Sequence, residues 1–321
     1  MTVIKNIAKD RILQITVVIT IISLFFARPR IEDINFHTLY SILAMLTIIQ
    51  IFSYLHVLDV LAYKLTASAR STRRLTAIFT ILSIVSAMFL TNDIVVNRYN
   101  VSPLKFFSWS LPLLLVSLII VLLFIFFVKD KPIPTVPLED IRISVRPMVL
   151  TIAVSIFFFF GVFNIVPAYV PAIVAVILAL IINPSIMLHV DYALLLTFTC
   201  FFIFISDIQQ IPFIVTLISK TMFSEHSVFL TSIISSQFIS NVPSTILIGK
   251  FTNYAEALFL GSNIGGFGSL VGSMANMLVF KSFVENGTVS KRKFFWVFSV
   301  LEFTGLIILT ILGWIVLDFV I

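Results

Sequence analysis

Long apolar runs alternate along the chain with short clusters of polar and charged residues. Ten runs approach the roughly 20 residues that a helix needs to cross a bilayer: 12–27, 37–55, 75–96, 107–128, 147–164, 167–183, 191–206, 227–250, 254–281 and 294–320. Pro167 and Pro171 open the sixth run and Asn183-Pro184 closes it, as expected where freed backbone groups lie near water. The pattern predicts an all-α polytopic membrane protein with about nine transmembrane helices and one re-entrant hairpin.

Composition agrees. The 321 residues are 60% hydrophobic and 11% charged, with 34 Phe and three Trp and a mean hydropathy of +1.13. Soluble domains hold about 45–50% apolar and about 25% charged residues, and no soluble fold hides this much Leu, Ile, Val and Phe. Net charge is +6, but the basic residues are scattered between apolar runs, which argues against a nucleic-acid partner. Cys200 is the single cysteine and reads as a small core residue. Residues 24–30, LFFARPR, offer no Ala-x-Ala-like cleavage site, so the first run is expected to be a retained span.

Charge also orients the chain. If 227–250 dips in and returns while the other nine runs cross, 15 of the 21 Lys and Arg fall on one side, including Arg70, Arg73, Arg74, Lys129 and Lys131. The positive-inside rule then makes that side cytoplasmic, with a cytoplasmic N-terminus and an outer C-terminus. If 227–250 crossed fully, Lys291-Arg292-Lys293 would move outside and weaken the bias. The expected location is the cytoplasmic membrane, with multiple passes.

Two stretches share one pattern, Leu39–Val96 and Ala193–Ile248. Each has an apolar span, a polar connector (Asp59 to Arg74, Asp207 to His226) and an apolar run ending in a polar motif, MFLTNDIVV or SQFISNVPSTILI. An odd number of crossings separates the connectors, the arrangement of inverted repeats whose substrate site lies at the midplane. The expected division is 1–146 for a first, incomplete repeat with a cytoplasmic linker and 147–321 for the second. The second repeat carries the re-entrant hairpin 227–250 and a broken helix in 254–281, where residues 261–276 read GSNIGGFGSLVGSMAN. The first repeat has no counterpart of that stretch after Val96.

Polar, helix-breaking residues at bilayer depth are tolerated only where they line a cavity or protein interior. Pro243 lacks a donor and disfavours helix at Val242, so a break is expected there. A broken helix offers carbonyls at one half-end and amides at the other. The candidate substrate- and ion-binding residues are Asn92, Asp93, Ser240, Asn241, Pro243, Ser244, Thr245, Ser262, Asn263, Gly265, Gly266, Ser269 and Asn276. Hard oxygen donors at Ser240, Asn241, Thr245, Ser262 and Asn263 would suit Na⁺; close helix packing through small residues is the alternative. Asp93 could bind a cation, carry a proton, or lie at the outer interface. Glu302 is expected to snorkel or pair, Asp59 and Asp207 to cap at interfaces, and the four His to be solvated near span ends. No G-x-x-x-x-G-K-[ST], H-E-x-x-H or G-x-S-x-G occurs, which argues against an ATP-driven pump, a metalloprotease and a serine hydrolase. The expectation is a non-enzyme with no resident cofactor beyond Na⁺ or H⁺ as a coupling ion.

MFLTND (88–93), SQFISNVPS (236–244) and GSNIGGFGSLVGSMAN (261–276) resemble the paired signatures of the citrate transporter-like permeases. That superfamily contains arsenite efflux permeases, sodium/proton antiporters and sodium/dicarboxylate symporters. The resemblance implies two inverted repeats, each with a re-entrant hairpin whose Asn-bearing tip meets a broken helix, and homodimers with an elevator-like movement. By that likeness Asn92, Asn241, Ser240 and Thr245 are tip residues, and Ser262, Asn263 and Gly266 belong to the broken helix. The chain departs from the family in lacking the first broken helix. The expected function is a secondary transporter of a small anion such as a carboxylate or oxyanion, coupled to Na⁺ or H⁺. A Na⁺/H⁺ antiporter using Asp93 and a degenerate, non-transporting relative are the alternatives.

Overall fold

The computed structural model describes residues 7–8, 10–90, 95, 99, 101–133, 144–273, 275–277, 279–280, 283 and 290–320. Asn92, Asp93 and the junction after Val96 lie outside the described residues. The helices are α1 (Arg11–Ser23), α2 (Phe36–Tyr54), α3 (Val57–Ala69), α4 (Thr72–Leu90), α5 (Pro103–Phe127), α6 (Val145–Val162), α7 (Tyr169–Ile182), α8 (Tyr192–Ile208), α9 (Pro212–Thr221), α10 (Glu225–Ile239), α11 (Asn241–Gly249), α12 (Ala255–Ile264) and α13 (Lys291–Val320). No strand occurs among the described residues.

Four helical stretches are long and apolar enough to cross a bilayer: Phe36–Tyr54, Leu104–Phe127, Val145–Val162 and Lys291–Phe319. The number is five if α8 and α9 form one broken span, and α1 and α7 add shorter apolar helices. Phe25, Phe126, Phe127 and Phe319 are each more than 75% exposed. Apolar surface on this scale has no stable place in water. The chain is therefore a polytopic, all-α integral membrane protein.

Two compact units divide the chain, one of residues 1–83 and 120–206, the other of 84–119 and 207–321. In the first, α2, α6 and α7 pack together over Ala44, Ile48, Phe158, Ala172 and Ala175. Small residues let these helices approach: a Cβ on Gly161 would sit 2.6 Å from Cγ of Pro171. Hydroxyls inside spans can bond back to their own helix, as Thr47 does to Leu43 and Thr151 to Pro147, which satisfies those donors in an apolar setting. The two polar connectors each contain a helix, α3 and α9. The His56 ring contacts the Asp59 carboxylate at 2.8 Å in the first turn of α3, a side-chain pair and not a backbone cap. Asp207 instead lies fully buried in the last turn of α8, a C-terminal position where a carboxylate opposes the dipole.

The Arg73 guanidinium donates to the carbonyls of Phe126 and Val128, at 3.1 to 3.2 Å, and so covers the exposed end of α5. Asp130 accepts hydrogen bonds from the Ser71 hydroxyl and the Arg73 amide, which hold its carboxyl below the usual range. The basic segments around residues 70–74 and 129–131 thus meet at one end of the first unit, as the charge pattern requires of two loops on one side of a membrane.

In the second unit, α10 begins with a capping box between Ser224 and Ser227 and ends at Ser240. The chain turns there, α11 packs back along α10, and α12 enters beside both. The Tyr99 hydroxyl donates to the carbonyls of Gly249 and Thr252, at 3.2 and 2.8 Å. Glu256 in the first turn of α12 lies near Glu225 in the first turn of α10. His226 pairs with Asp318 near the C-terminal end of α13, at 2.9 Å. Both ends of the α10–α11 hairpin, the start of α12 and the end of α13 therefore lie at one end of this unit, and the turn at Ser240 points to its middle.

Candidate functional site

Ser240 adopts φ 71° and ψ 152°. Glycine alone enters that region readily, and a side chain there costs about 1–3 kcal/mol. The helix stops at Ile239 and restarts at Asn241, so the break falls at Ser240, not at Val242 as Pro243 alone suggested. Pro243 sits in the first turn of α11, where its missing N–H breaks no intrahelical bond. The second break follows Ile264. Gly268 there has φ 103°, and a Cβ on it would sit 2.4 Å from Oε1 of Gln237.

Two side-chain amides close the exposed backbone of these breaks. Nε2 of Gln237 donates to the carbonyls of Gly265 and Phe267, at 2.9 and 3.0 Å, and its Oε1 accepts from the Ser269 amide at 2.8 Å. Ser269 Oγ donates to the Gln237 carbonyl, at 2.9 Å. Asn276 Nδ2 donates to the carbonyls of Gly266 and Ser269, at 3.0 and 3.2 Å. At the start of α11, the Asn241 amide donates to Gly272 O and the Val242 amide to Oδ1 of Asn241, both at 2.9 Å. The Ser244 amide donates to Ser240 O, at 3.0 Å. The backbone abandons regular helix in both places, but the peptide groups expected to stand open are paired within the protein. The reason is that buried N–H and C=O groups without water must find partners. An anion at the α11 N-terminus would have to displace bonds already made.

What faces open space is a set of side chains. A cavity of about 340 Å³ is lined by Asn241, Asn263, Gly266, Ser273, Asn276 and Glu302, by Ser110 and Ser117 of α5, and by apolar groups including Leu113, Phe259 and Leu309. That volume suits a small ligand. Asn263 gives its Nδ2 to Phe259 O, at 3.0 Å. With both nitrogens committed to carbonyls, Asn263 and Asn276 have their amide oxygens left to offer. Asn241, whose oxygen accepts from Val242, has its nitrogen left.

The expected site residues divide accordingly. Asn241, Asn263, Gly266 and Asn276 line the cavity. Ser244, Thr245 and Ser262 are fully or almost fully buried. Thr245 donates to Asn241 O, Ser262 to Phe259 O, and Ser244 shares a hydrogen bond with Ser235. Gly265 serves close packing: a Cβ on it would sit 2.6 Å from Oγ of Ser236. Pro243 is buried in α11, and Ser269 is held by Gln237. Of the Na⁺ ligand set, Ser240 is fully buried and its Oγ has no hydrogen-bond partner. Such a hydroxyl costs about 1–3 kcal/mol unless something meets it.

Gln237 and Glu302 were not among the expected site residues. Both are polar side chains set deep in apolar helices, the signal that marked Asp93. Glu302 lies about 17 Å along α13 from Lys291 at 1.5 Å per residue, well inside the span, and faces the cavity. Its carboxylate takes a backbone hydrogen bond from Gly268. Snorkelling to an interface does not describe it.

No family model matches the chain, and no solved structure matches it. It is 33% identical over 133 residues to the inner membrane protein YbiR of Escherichia coli, covering 41% of this chain and 34% of YbiR. It is 28% identical over 214 residues to the uncharacterized transporter MJ0456 of Methanocaldococcus jannaschii, covering 66% of this chain and 56% of that protein. The matched stretches thus span from a third to a little over half of these relatives.

Proposed function

We propose that this chain is a secondary transporter that moves a small anion, a carboxylate or oxyanion, across the cytoplasmic membrane, coupled to Na⁺ or H⁺. In this reading its N-terminus is cytoplasmic, α10–α11 is a re-entrant hairpin, and the chain works as a homodimer. One observation carries the reading: the hairpin turn and the end of α12 enclose a cavity lined by three carboxamides, at Asn241, Asn263 and Asn276. Carboxamide dipoles replace part of the hydration an ion loses on entering, the Asn241 nitrogen facing an anion and the Asn263 and Asn276 oxygens a coupling cation. The relative named a transporter and the motif resemblance to citrate transporter-like permeases support it.

Purified protein in liposomes should accumulate a labelled dicarboxylate or inorganic oxyanion when a Na⁺ or pH gradient is imposed. Asn263→Ala should abolish that flux while the protein stays monodisperse. Wild-type rates in Asn263→Ala reject the site. Absence of any gradient-driven flux across a panel of both anion classes favours a non-transporting relative.

A second reading, a cation/H⁺ exchanger, is favoured by the cavity wall. Among the described residues no Lys, Arg or His lines it, and the α11 amides are committed to protein acceptors. Na⁺ flux driven by a pH gradient with no anion present would select this reading. Asp93, the carboxylate first considered for exchange, lies outside the described residues.

A further inference from the structure

Glu302 is the single titratable side chain on the cavity wall among the described residues. Its surroundings are suited to a cation and unsuited to a bare carboxylate. The amide oxygens of Asn263 and Asn276 share its cavity, and the Gly268 backbone donates a hydrogen bond to its carboxylate. The rest of the wall sets Ser110, Ser117, Ser273 and Asn241 among apolar groups such as Phe259, Ile264, Phe267 and Leu309. A carboxylate at such depth, with no Lys, Arg or His on the described cavity wall, needs its charge neutralised.

Among the described residues, no other titratable group of the second unit lines this cavity. On α10, His226 is paired with Asp318, about 24 Å along α13 from Glu302 at the helical rise. Glu225 and Glu256 are at the opposite end of the hairpin from its turn, with Lys105 of α5 near Glu256. Lys105 itself stands over the Trp109 ring, 5.3 Å from its centroid. On α13 the nearest basic residue is Lys293, about 13 Å away along the helix. None of these neutralises Glu302.

We propose that Glu302, with the amide oxygens of Asn263 and Asn276, is a monovalent-cation site of this cavity, holding Na⁺ or H⁺ in alternation. The Glu302 carboxylate accepts H⁺ to become neutral, or is ionised and ligates Na⁺; binding of one releases the other. The placement also fixes what an anion can do, because an anion entering the same cavity needs this cation first. The assignment rests on the transport reading for its physiological use, but the binding itself does not.

The experiment uses the full-length protein in nanodiscs, with ²²Na⁺ as the probe and infrared difference spectroscopy of the protonated carboxyl band. Wild type should bind ²²Na⁺, with apparent affinity falling about tenfold per pH unit once below the carboxyl's titration. Acidification should raise a protonated-carboxyl band that Na⁺ removes. Glu302→Gln preserves shape and should lose both the band and the pH dependence, with ²²Na⁺ affinity down about tenfold or more. Glu302→Asp should recover part of each. If wild type binds no ²²Na⁺ but shows the band, the cation is H⁺ alone. If Glu302→Gln keeps wild-type ²²Na⁺ binding and the wild-type band, the assignment is overturned, as it is if wild type shows neither signal across about pH 5 to 9. Loss of liposome flux with intact cation binding at Glu302 would sink the transport reading alone. Unaltered gradient-driven flux in Glu302→Gln, together with unaltered ²²Na⁺ binding, would sink the cation site alone.

Discussion

Replacing Gln237 with Ala removes a side chain that joins two parts of the chain about 30 residues apart. The variant loses the bonds to Gly265 O and Phe267 O and the bond from the Ser269 amide, at 2.8 to 3.0 Å in the native protein. At about 0.5–1.5 kcal/mol net per bond, three bonds amount to about 1.5–4.5 kcal/mol. Part of that is recovered because Gln237 is only half-buried and water from the cavity can reach the freed carbonyls. A net loss of about 2 kcal/mol is therefore expected, concentrated in local opening of residues 265–272. Hydrogen–deuterium exchange by mass spectrometry is the assay, and peptides over 265–272 should exchange about thirtyfold faster than in wild type. Gln237→Glu retains an acceptor for Ser269 but sets a carboxylate oxygen against two carbonyls, and should exchange at least as fast as Gln237→Ala. Gln14→Ala, which removes one exposed bond to Ala8, is the control and should leave these peptides unchanged. Wild-type protection of 265–272 in Gln237→Ala would refute the idea that this amide holds the second break.

Ser240→Gly relieves a backbone conformation suited to Gly, and should raise thermal stability by about 1 kcal/mol; a lower melting temperature in Na⁺-free buffer would contradict it. A Cβ on Gly261 would lie 2.5 Å from Phe229 O in the backbone of α10. Gly261→Val should therefore cost about 1–3 kcal/mol or more by overpacking, read as loss of monodisperse protein on heating. Arg73→Ala should expose the carbonyls that end α5 and cost about 1–2 kcal/mol. Arg73→Lys should recover only part, because a single ammonium does not reproduce the fork; full recovery would reduce the contact to simple charge.

The sequence alone determined the class of the molecule and the two regions in which regular helix fails. Membrane residence follows from composition, which no tertiary arrangement can undo. That regular helix fails beyond Asn263 follows from the Gly run, and Pro243 is compatible with the opening turn of a new helix, but the break itself falls at Ser240. The tertiary structure decided which groups are left for a ligand. Ser244, Thr245 and Ser262 looked equivalent to Asn241 and Asn263 in the sequence, yet helix rotation turns the first three into packing and the last two toward the cavity. The backbone carbonyls were expected to be the ligands, but Gln237 and Asn276 bond them. Glu302 follows Asn241 by 61 residues in the chain, and only packing of α13 beside α12 brings it to the same wall. Periodicity reads which residues share one helix face; it carries no information on which face of a distant helix will meet it, and that meeting makes the site.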